Sequence, residues 1–251
     1  MKRFLLAMCV TVLLPGMGAS VRADDAEAKA VLDKAIKALG GEEKLAKADK
    51  YTLKSKGTVS INNMEIEFTV KGTMQGLDHY RSEFEGTIDG NPIKVVSVLN
   101  GDKAWRRVGD NTMELDDEGL ATEKRTVYVQ AATSTLLPLK GKDFKLEKAA
   151  DEKVDDKAAA VVKVTGPDGK PFTLFFDKES GLPVKMTTKT RGFMGEEVDQ
   201  ESVYSNYKEF DGIKRAAKVS IKRDGAKFLE QDITEFKVLD KLDADTFAEP
   251  Q

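Results

Sequence analysis

The sequence contains very few of the residues on which most enzyme and metal chemistry depends. Its 251 residues include one cysteine, one histidine and one tryptophan, and no glycine-rich loop of the kind that cradles phosphate. The histidine, His79, would have to serve as the base of any Ser-His-Asp or Cys-His triad, and its neighbours form no nucleophile elbow. A zinc site would be left with carboxylates, the ligands that structural zinc uses least. We therefore predict no cofactor, no metal and no triad enzyme.

Carboxylates are abundant, but their spacing matches no catalytic or calcium-binding motif. A calcium loop needs acids at alternate positions with a central glycine and a terminal glutamate, and none of the acidic clusters has this arrangement. A glycosidase needs two carboxylates opposed across a cleft, which a sequence does not display. A carboxylate-based hydrolase is therefore kept as an alternative function. The clusters lie at 116–118, 155–156, 196–197 and 240–245.

The N-terminus has the three parts of a secretory signal. Lys2 and Arg3 supply the positive charge, residues 4–14 form an apolar run, and small residues at 21–23 favour cleavage after Ala23. The run is shorter than the roughly 20 residues needed to span a bilayer, and no later run is longer or as apolar. We predict a signal peptide of residues 1–23, export to the periplasm and no transmembrane segment.

Export leaves a mature chain, residues 24–251, without cysteine. In a lipoprotein signal, a small residue precedes the cysteine that becomes lipidated. Cys9 instead follows Met8 and lies within the apolar run. We therefore expect cleavage after Ala23 and no lipid anchor. Without disulfides the chain must be stabilised by burial. Cleavage also deepens the formal net charge from −3 to −6, which argues against a nucleic-acid partner. The length suits a single domain with one core, which we expect to be monomeric.

The mature chain begins with one amphipathic helix. Residues 26–39 repeat apolar side chains at helical spacing, and Gly40 and Gly41 follow as a C-terminal stop. A second short helix is predicted near 42–48. The first helix must pack against another part of the fold, because an isolated helix of this length is marginal in water. Its apolar stripe comprises Ala28, Val31, Leu32, Ala35, Ile36 and Leu39.

From Tyr51 onward the period changes to two, which predicts about eleven antiparallel strands. Tight turns such as Asn100-Gly101 and Asp224-Gly225 separate them, and the charge-rich stretch 147–157 is interpreted as a solvated hairpin. A second helix-like segment interrupts the strands at 117–137, with Asp117 as its expected N-cap. The predicted strands lie near 51–61, 64–70, 80–87, 93–99, 103–108, 158–165, 172–176, 182–190, 198–210, 213–222 and 227–239.

This pattern predicts an α+β fold that is mainly β. So many strands form a sheet that must curl or close to manage its edges, and we expect helices across its concave side. Large inward side chains would then either fill the interior or line a cavity. The candidate cavity-lining residues are Phe68, Trp105, Phe172, Phe176 and Met186.

Several segments carry a resemblance to a known family, and together they cover nearly the whole mature chain. They are 38–41, 47–57, 174–186, 204–214, 233–238 and 247–250. In these segments the chain resembles the LolA/LolB superfamily of outer-membrane lipoprotein-sorting proteins and their exported relatives. Each segment is a strand-turn-strand pattern rather than a catalytic signature.

The resemblance implies an unclosed β-barrel with lid helices and an apolar cavity that shields acyl chains during transfer across the periplasm. No residue here can be matched to the positions that gate lipid in the true carriers. The expected function is a non-enzymatic carrier for lipid or lipoprotein acyl chains, with an envelope protein as a further possible partner. The alternatives are a passive envelope or interaction module with a filled barrel and the carboxylate hydrolase.

Overall fold

The computed structural model describes residues 18–61, 64–192 and 195–251. Most of the predicted signal peptide, residues 1–17, lies outside these ranges, and the first helix begins at Gly18, ahead of the predicted cleavage after Ala23. The helices are α1 (Gly18–Leu39), α2 (Glu42–Lys47) and α3 (Asp117–Thr135), followed by a 3-10 turn at Leu137–Lys140.

The first six strands precede α3 and the other seven follow the 3-10 turn. The first group is β1 (Lys50–Ile61), β2 (Met64–Gln75), β3 (His79–Ile88), β4 (Asn91–Asn100), β5 (Lys103–Val108) and β6 (Asn111–Glu114). The second group is β7 (Lys145–Val154), β8 (Lys157–Thr165), β9 (Pro171–Asp177), β10 (Pro183–Arg191), β11 (Glu197–Phe210), β12 (Ile213–Arg223) and β13 (Ala226–Val238).

Within the described ranges, thirteen strands form one antiparallel sheet that is not closed. Its order is β6-β5-β4-β3-β2-β1-β13-β12-β11-β10-β9-β8-β7, so each half is a meander and the pairing of β1 with β13 joins them. At this seam the backbones approach closely, because a Cβ added to Gly57 would lie 1.9 Å from the carbonyl oxygen of Glu230. The seam therefore requires glycine at this position.

The sheet curls strongly, and α3 shows by how much. Strands β5 and β10 are eight positions apart in the sheet order, which in a flat sheet would be a separation of roughly 38 Å. Yet Glu123 of α3 pairs with Arg106 of β5, while Arg125, two residues later, donates a hydrogen bond to Thr188 of β10. One helix thus contacts both sides of the curled sheet, as expected for an unclosed barrel with a lid.

The main core lies between the helices and the inner face of the sheet. The stripe predicted on α1 is buried as expected, except that Val31 is only partly buried. The helix packs mainly against β7. Residues of α2, α3 and both halves of the sheet join the same cluster, including Leu45, Val127, Leu99 and Leu174.

The outer face carries a separate cluster covered by the C-terminal segment. Val98 and Trp105 are cross-strand partners on this face, and Phe247 packs over them. The carbonyl oxygens of Pro250 and Gln251 accept hydrogen bonds from Thr112 and Arg107, which fix the end of the chain against β5 and β6. The tryptophan is therefore buried on the face opposite to α3.

The predicted and observed elements differ at the sheet edges and at the start of α3. The sequence pattern missed β6 and described most of β7 only as part of the solvated hairpin at 147–157, because the side chains of these two edge strands are largely polar and exposed. The N-cap of α3 is Asp116 rather than Asp117: its carboxylate accepts a hydrogen bond from the backbone N–H of Gly119 at 2.8 Å. The helix itself ends at Thr135, where Leu136 adopts a left-handed conformation.

Changing Ile36 of α1 to aspartate should destabilise the protein strongly. Its side chain is 4% exposed in the main core, and an unpaired buried carboxylate typically costs about 3 to 5 kcal/mol, or roughly 10 °C in melting temperature for a chain of this size. Thermal unfolding of Ile36→Asp should be compared with Ala30→Asp, which places the same charge on the exposed face of the helix. Equal melting of the two variants would contradict the packing of α1.

Candidate functional site

A large cavity lies between α3 and the inner face of the sheet. Its volume is about 1570 Å³, and its walls include side chains from β1, β2 and β3 on one side and β9 to β13 on the other. Its apolar wall includes Val70, Leu174, Met186, Val219, Ile221 and Ile233. This space is larger than the roughly 300 to 1,000 Å³ typical of small-molecule sites.

One face of α3 forms the roof of this cavity. Residues at helical spacing, among them Thr122, Thr126, Val129 and Thr133, point into it. The opposite face, with Val127, Ala131 and Ala132, packs into the main core. The roof therefore carries three threonines, whose side chains are too short to fill the space beneath them, whereas the core face holds the helix in place.

The five predicted lining residues divide into two groups. Phe172 and Met186 line the cavity, and the Sδ of Met186 accepts a hydrogen bond from the Tyr204 hydroxyl at 3.8 Å. The other three are buried elsewhere. Phe176 lies in the main core. Phe68 stacks on Phe84 in a cluster next to the cavity, on the same face of β2 as Val70, which lines it.

Trp105 is the furthest of the five from the cavity. It lies on the outer face of the sheet, under Phe247. Alternation along β5 places Trp105 and its neighbour Ala104 on opposite faces, and Ala104 is the residue that joins the main core. Ligand binding by any of the five residues stays a prediction.

A polar cluster fastens α3 to the β8–β9 turn and to β10. Arg125 pairs with the Asp168 carboxylate at 2.8 Å, and it also donates hydrogen bonds to the Pro171 carbonyl and the Thr188 hydroxyl. The Tyr128 hydroxyl donates to the second oxygen of Asp168 at 2.6 Å. We call Arg125, Tyr128 and Asp168 the clasp. Sequence reasoning missed it, because its members are distant in sequence and match no motif.

The backbone of the turn fits the clasp closely. A Cβ on Gly166 would lie 2.4 Å from the Tyr128 hydroxyl oxygen, so only glycine leaves room for that hydroxyl. Partial burial opposes ionisation of Asp168, but hydrogen bonds from Tyr128, the Lys170 N–H and Arg125 outweigh it, and they hold the pKa of this carboxyl below its ordinary value. The Asp168 carboxylate of the clasp is therefore ionised at neutral pH.

At the other end of α3, an arginine of β12 projects into the cavity. Arg215 donates hydrogen bonds to the Ser134 hydroxyl at 2.5 Å and to the Ser134 carbonyl at 3.4 Å. Its guanidinium lies 4.2 Å from the ring centre of Phe236 and 5.4 Å from that of Tyr51. Burial lowers the pKa of Arg215, although a guanidinium remains charged in proteins. Sequence reasoning gave no signal for this residue.

Of the residues considered for catalysis, Glu118 and Glu197 line the cavity, where they pair with Arg191 and Lys189, and the others lie elsewhere. His79 is at the start of β3, with its Nδ1 2.7 Å from the Asp78 carboxylate and its ring near Phe247, away from the cavity. Asp155 and Asp156 form the left-handed turn between β7 and β8. Among the described residues, no group of three or more His, Cys, Asp or Glu side chains is arranged to hold a metal ion.

Solved structures with the same architecture identify the fold. A LolA-superfamily protein from Nitrosomonas europaea matches 88% of this chain and 96% of its own, with 15% identity and a TM-score of 0.59. The chain has the LolA-like fold. A DUF1329-family protein from Desulfovibrio piger covers 88% of this chain and 96% of its own at 12% identity, with a TM-score of 0.57.

A third LolA-like match is a domain from Vibrio parahaemolyticus described as an outer-membrane lipoprotein-sorting protein. It covers 86% of this chain and 97% of its own, with 13% identity and a TM-score of 0.55. Neither a protein-family model nor a curated protein sequence matches the chain. In the part of the LolA-like chain that the structure describes, no helix has the length and apolar character to cross a membrane.

The clasp should make stability depend on acid pH. A carboxyl with a lowered pKa stabilises the folded state above its ordinary pKa of about 3.9, and this contribution is lost as the pH falls through the lowered value. At pH 6, Asp168→Asn should reduce the free energy of unfolding by about 1 kcal/mol. Below about pH 4 the difference from the wild type should shrink.

Urea unfolding of both proteins at pH 6 and pH 3 measures this difference. Asp151→Asn is a suitable control, since Asp151 is also paired with lysines but lies on β7, away from the clasp. If the deficit of Asp168→Asn is the same at both pH values, ionisation of Asp168 does not hold the clasp.

Proposed function

We propose that the protein is an exported, non-enzymatic carrier that binds lipid or lipoprotein acyl chains in the cavity beneath α3. Its mature form would be a single-domain monomer of residues 24–251 that works in the periplasm. The observation that carries the proposal is the cavity of about 1570 Å³ between the helix and the inner face of the sheet.

The construction of the site supports a ligand of this kind. The floor is apolar over much of its area, with Leu174, Met186 and Ile233 among its residues, while threonines and charged residues lie along the roof and rim. An apolar floor with a polar rim suits a molecule with a hydrocarbon part and a polar end. A passive module with a filled barrel would place large side chains where the short residues of α3 now lie.

The attachment of α3 supports a lid that opens. Its link to the β8–β9 turn and β10 is made by the clasp, and Arg191 of β10 pairs with Glu118 in the first turn of the helix. Links to the other side are ion pairs too, namely Arg106 with Glu123 and Lys124 with Asp102. The Lys124–Asp102 and Arg191–Glu118 pairs are exposed and contribute little each, whereas Glu123 and Arg125 are mostly buried. Opening of α3 would therefore require the clasp and the Arg106–Glu123 pair to break, while the sheet stays folded.

The fold likeness favours acyl chains as the ligand. The lipoprotein-sorting description belongs to the Vibrio domain, whose fold this chain shares at 13% identity. Identity at this level carries the architecture and not the ligand, so the ligand class needs a direct measurement. The carboxylate hydrolase has no observation in its favour.

Native mass spectrometry of the protein purified from a bacterial envelope should detect bound lipid or lipoprotein. We expect a population of the protein with added mass that organic solvent extraction removes. Filling the cavity tests the location: Thr133→Trp, on the roof of the cavity, should weaken binding about tenfold, as expected when a side chain overfills a packed space.

The matched control is Thr69→Trp, since Thr69 is exposed on β2 and does not line the cavity. It should retain ligand at the wild-type level. A protein that is free of ligand in every preparation, or that loses ligand equally in both variants, would favour the passive module.

Hydrogen exchange tests the role of α3 as a lid. We expect the amides of α3 to exchange faster than those of β1 and β13 in the ligand-free protein, and to slow when acyl ligand is bound. The central strands serve as the internal reference. Equal protection of α3 and the central strands without ligand would argue against opening.

A further inference from the structure

The charged residues around the cavity are mostly paired with one another. Arg125 pairs with Asp168, Arg191 with Glu118, and Lys189 with Glu197 and Asp199. Among the described residues that line it, cations still outnumber acids by nine to five in a chain whose formal net charge is −3. The site is therefore more basic than the rest of the molecule.

Most of the unpaired cations around the cavity are exposed lysines. Lys163, Lys170, Lys214 and Lys222 are in contact with solvent and need no counter-ion. Arg223, at the far end of β12, is near the Glu196 carboxylate and also donates a hydrogen bond to the Gln200 side chain at 3.1 Å. Because water or a protein partner surrounds these charges, they do not require an anionic ligand inside the cavity.

Arg215 differs from all of these. It is partly buried, and no carboxylate among the described residues lies within ion-pair distance of it. Its surroundings are the rings of Tyr51 and Phe236, the Ser134 oxygens, and Tyr204 and Tyr207 nearby. Burial raises the pKa of both Tyr204 and Tyr207, so these phenols are neutral and supply no negative charge at physiological pH.

A charge in such a position is unfavourable without a counter-ion. Stacking on aromatic faces and two hydrogen bonds to Ser134 compensate part of the lost hydration, but the guanidinium has five N–H donors and a full positive charge. Both Ser134 bonds are made by the same terminal nitrogen, Nη1. The Tyr51 side chain is a further hydrogen-bond partner of the guanidinium, and the donors left over lie at this end of the cavity, since Arg215 is among the residues that line it.

Resting on the function proposed above, we propose that the ligand is an anionic amphiphile whose carboxylate or phosphate head group pairs with Arg215. Its hydrocarbon chain would run along β12 toward Val219 and Ile221, which line the cavity. From Arg215 to Arg223 the strand advances roughly 27 Å, which leaves room for a long acyl chain. The head group thus lies beneath the C-terminal end of α3, beside Ser134.

The test compares three ligands with the same hydrocarbon chain: palmitate, hexadecyl phosphate and hexadecanol. Each is titrated against the full-length mature protein with an uncharged fluorescent probe, N-phenyl-1-naphthylamine, as the displaced reporter. Wild type should bind the two anions about 10- to 100-fold more tightly than the alcohol, the range expected for a hydrogen-bonded charge pair. Arg215→Gln should reduce this preference to near unity.

Arg223→Gln is the matched control, because Arg223 has the same side chain, strand and cavity but is at the opposite end. It should keep the preference for anions. Should Arg215→Gln fail to fold, Arg215→Lys retains the charge without the planar fork and should keep a reduced preference. The ratio of the wild-type affinities for the two anions and for hexadecanol then still tests the proposal.

Each remaining outcome overturns the proposal. Equal affinity of wild type for all three ligands would be consistent with an acyl-chain carrier but would contradict recognition of an anionic head group. Loss of the preference in Arg223→Gln instead of Arg215→Gln would place the head group at the other end. Tight binding of free acetate or inorganic phosphate would mean that the anion is not part of an amphiphile. Absence of binding by every amphiphile would reject the carrier function itself.

Discussion

The bridge that α3 makes between the two halves of the sheet is the constraint on which the remaining structure depends. Thirteen antiparallel strands in one open sheet have two free edges and a large inner face to cover. Because α3 reaches both β5 and β10, the sheet is held in a curl, and α1 and α2 cover a further part of its inner face. The cavity exists because α3 spans the interior without filling it. Its roof carries threonine where a core helix would carry leucine.

The core face and the two flanks of α3 have different contacts for the same reason. Its core face, with Val127 and Ala132 fully buried, fixes the position of the helix against the sheet. Its two flanks carry the ion pairs that reach the rims: Lys124–Asp102 and Arg191–Glu118 are exposed, while Glu123 and Arg125 are mostly buried. Burial and polar contacts thus both attach α3 to the curled sheet.

Periodicity predicted most of the fold because inner and outer faces alternate cleanly in the central strands. Tyr51 and Leu53 of β1 are buried, and the stripe of α1 is buried nearly as expected. The pattern failed at β6 and β7, because edge strands bury little and so carry little alternation. It also left the direction of Trp105 open: both faces of β4 and β5 are covered, one by α3 and the other by the C-terminal segment with Phe247. A strand covered on both faces gives no periodic signal for which side is the interior.

The candidate site residues were harder to predict than the fold for a related reason. The clasp and Arg215 depend on partners brought together by the curl of the sheet: Asp168 is 43 residues from Arg125, and Ser134 is 81 residues from Arg215. In sequence, Arg215 is one cation among 40, and its neighbour Lys214 is fully hydrated. Only burial distinguishes the two. Alternation on β12 turns Lys214 outward and Arg215 inward beside Phe236, so a surface-type residue comes to lie in an aromatic environment without a carboxylate. Arg215 can therefore be recognised as a candidate site residue only from the folded structure, which shows that its positive charge lies among aromatic rings.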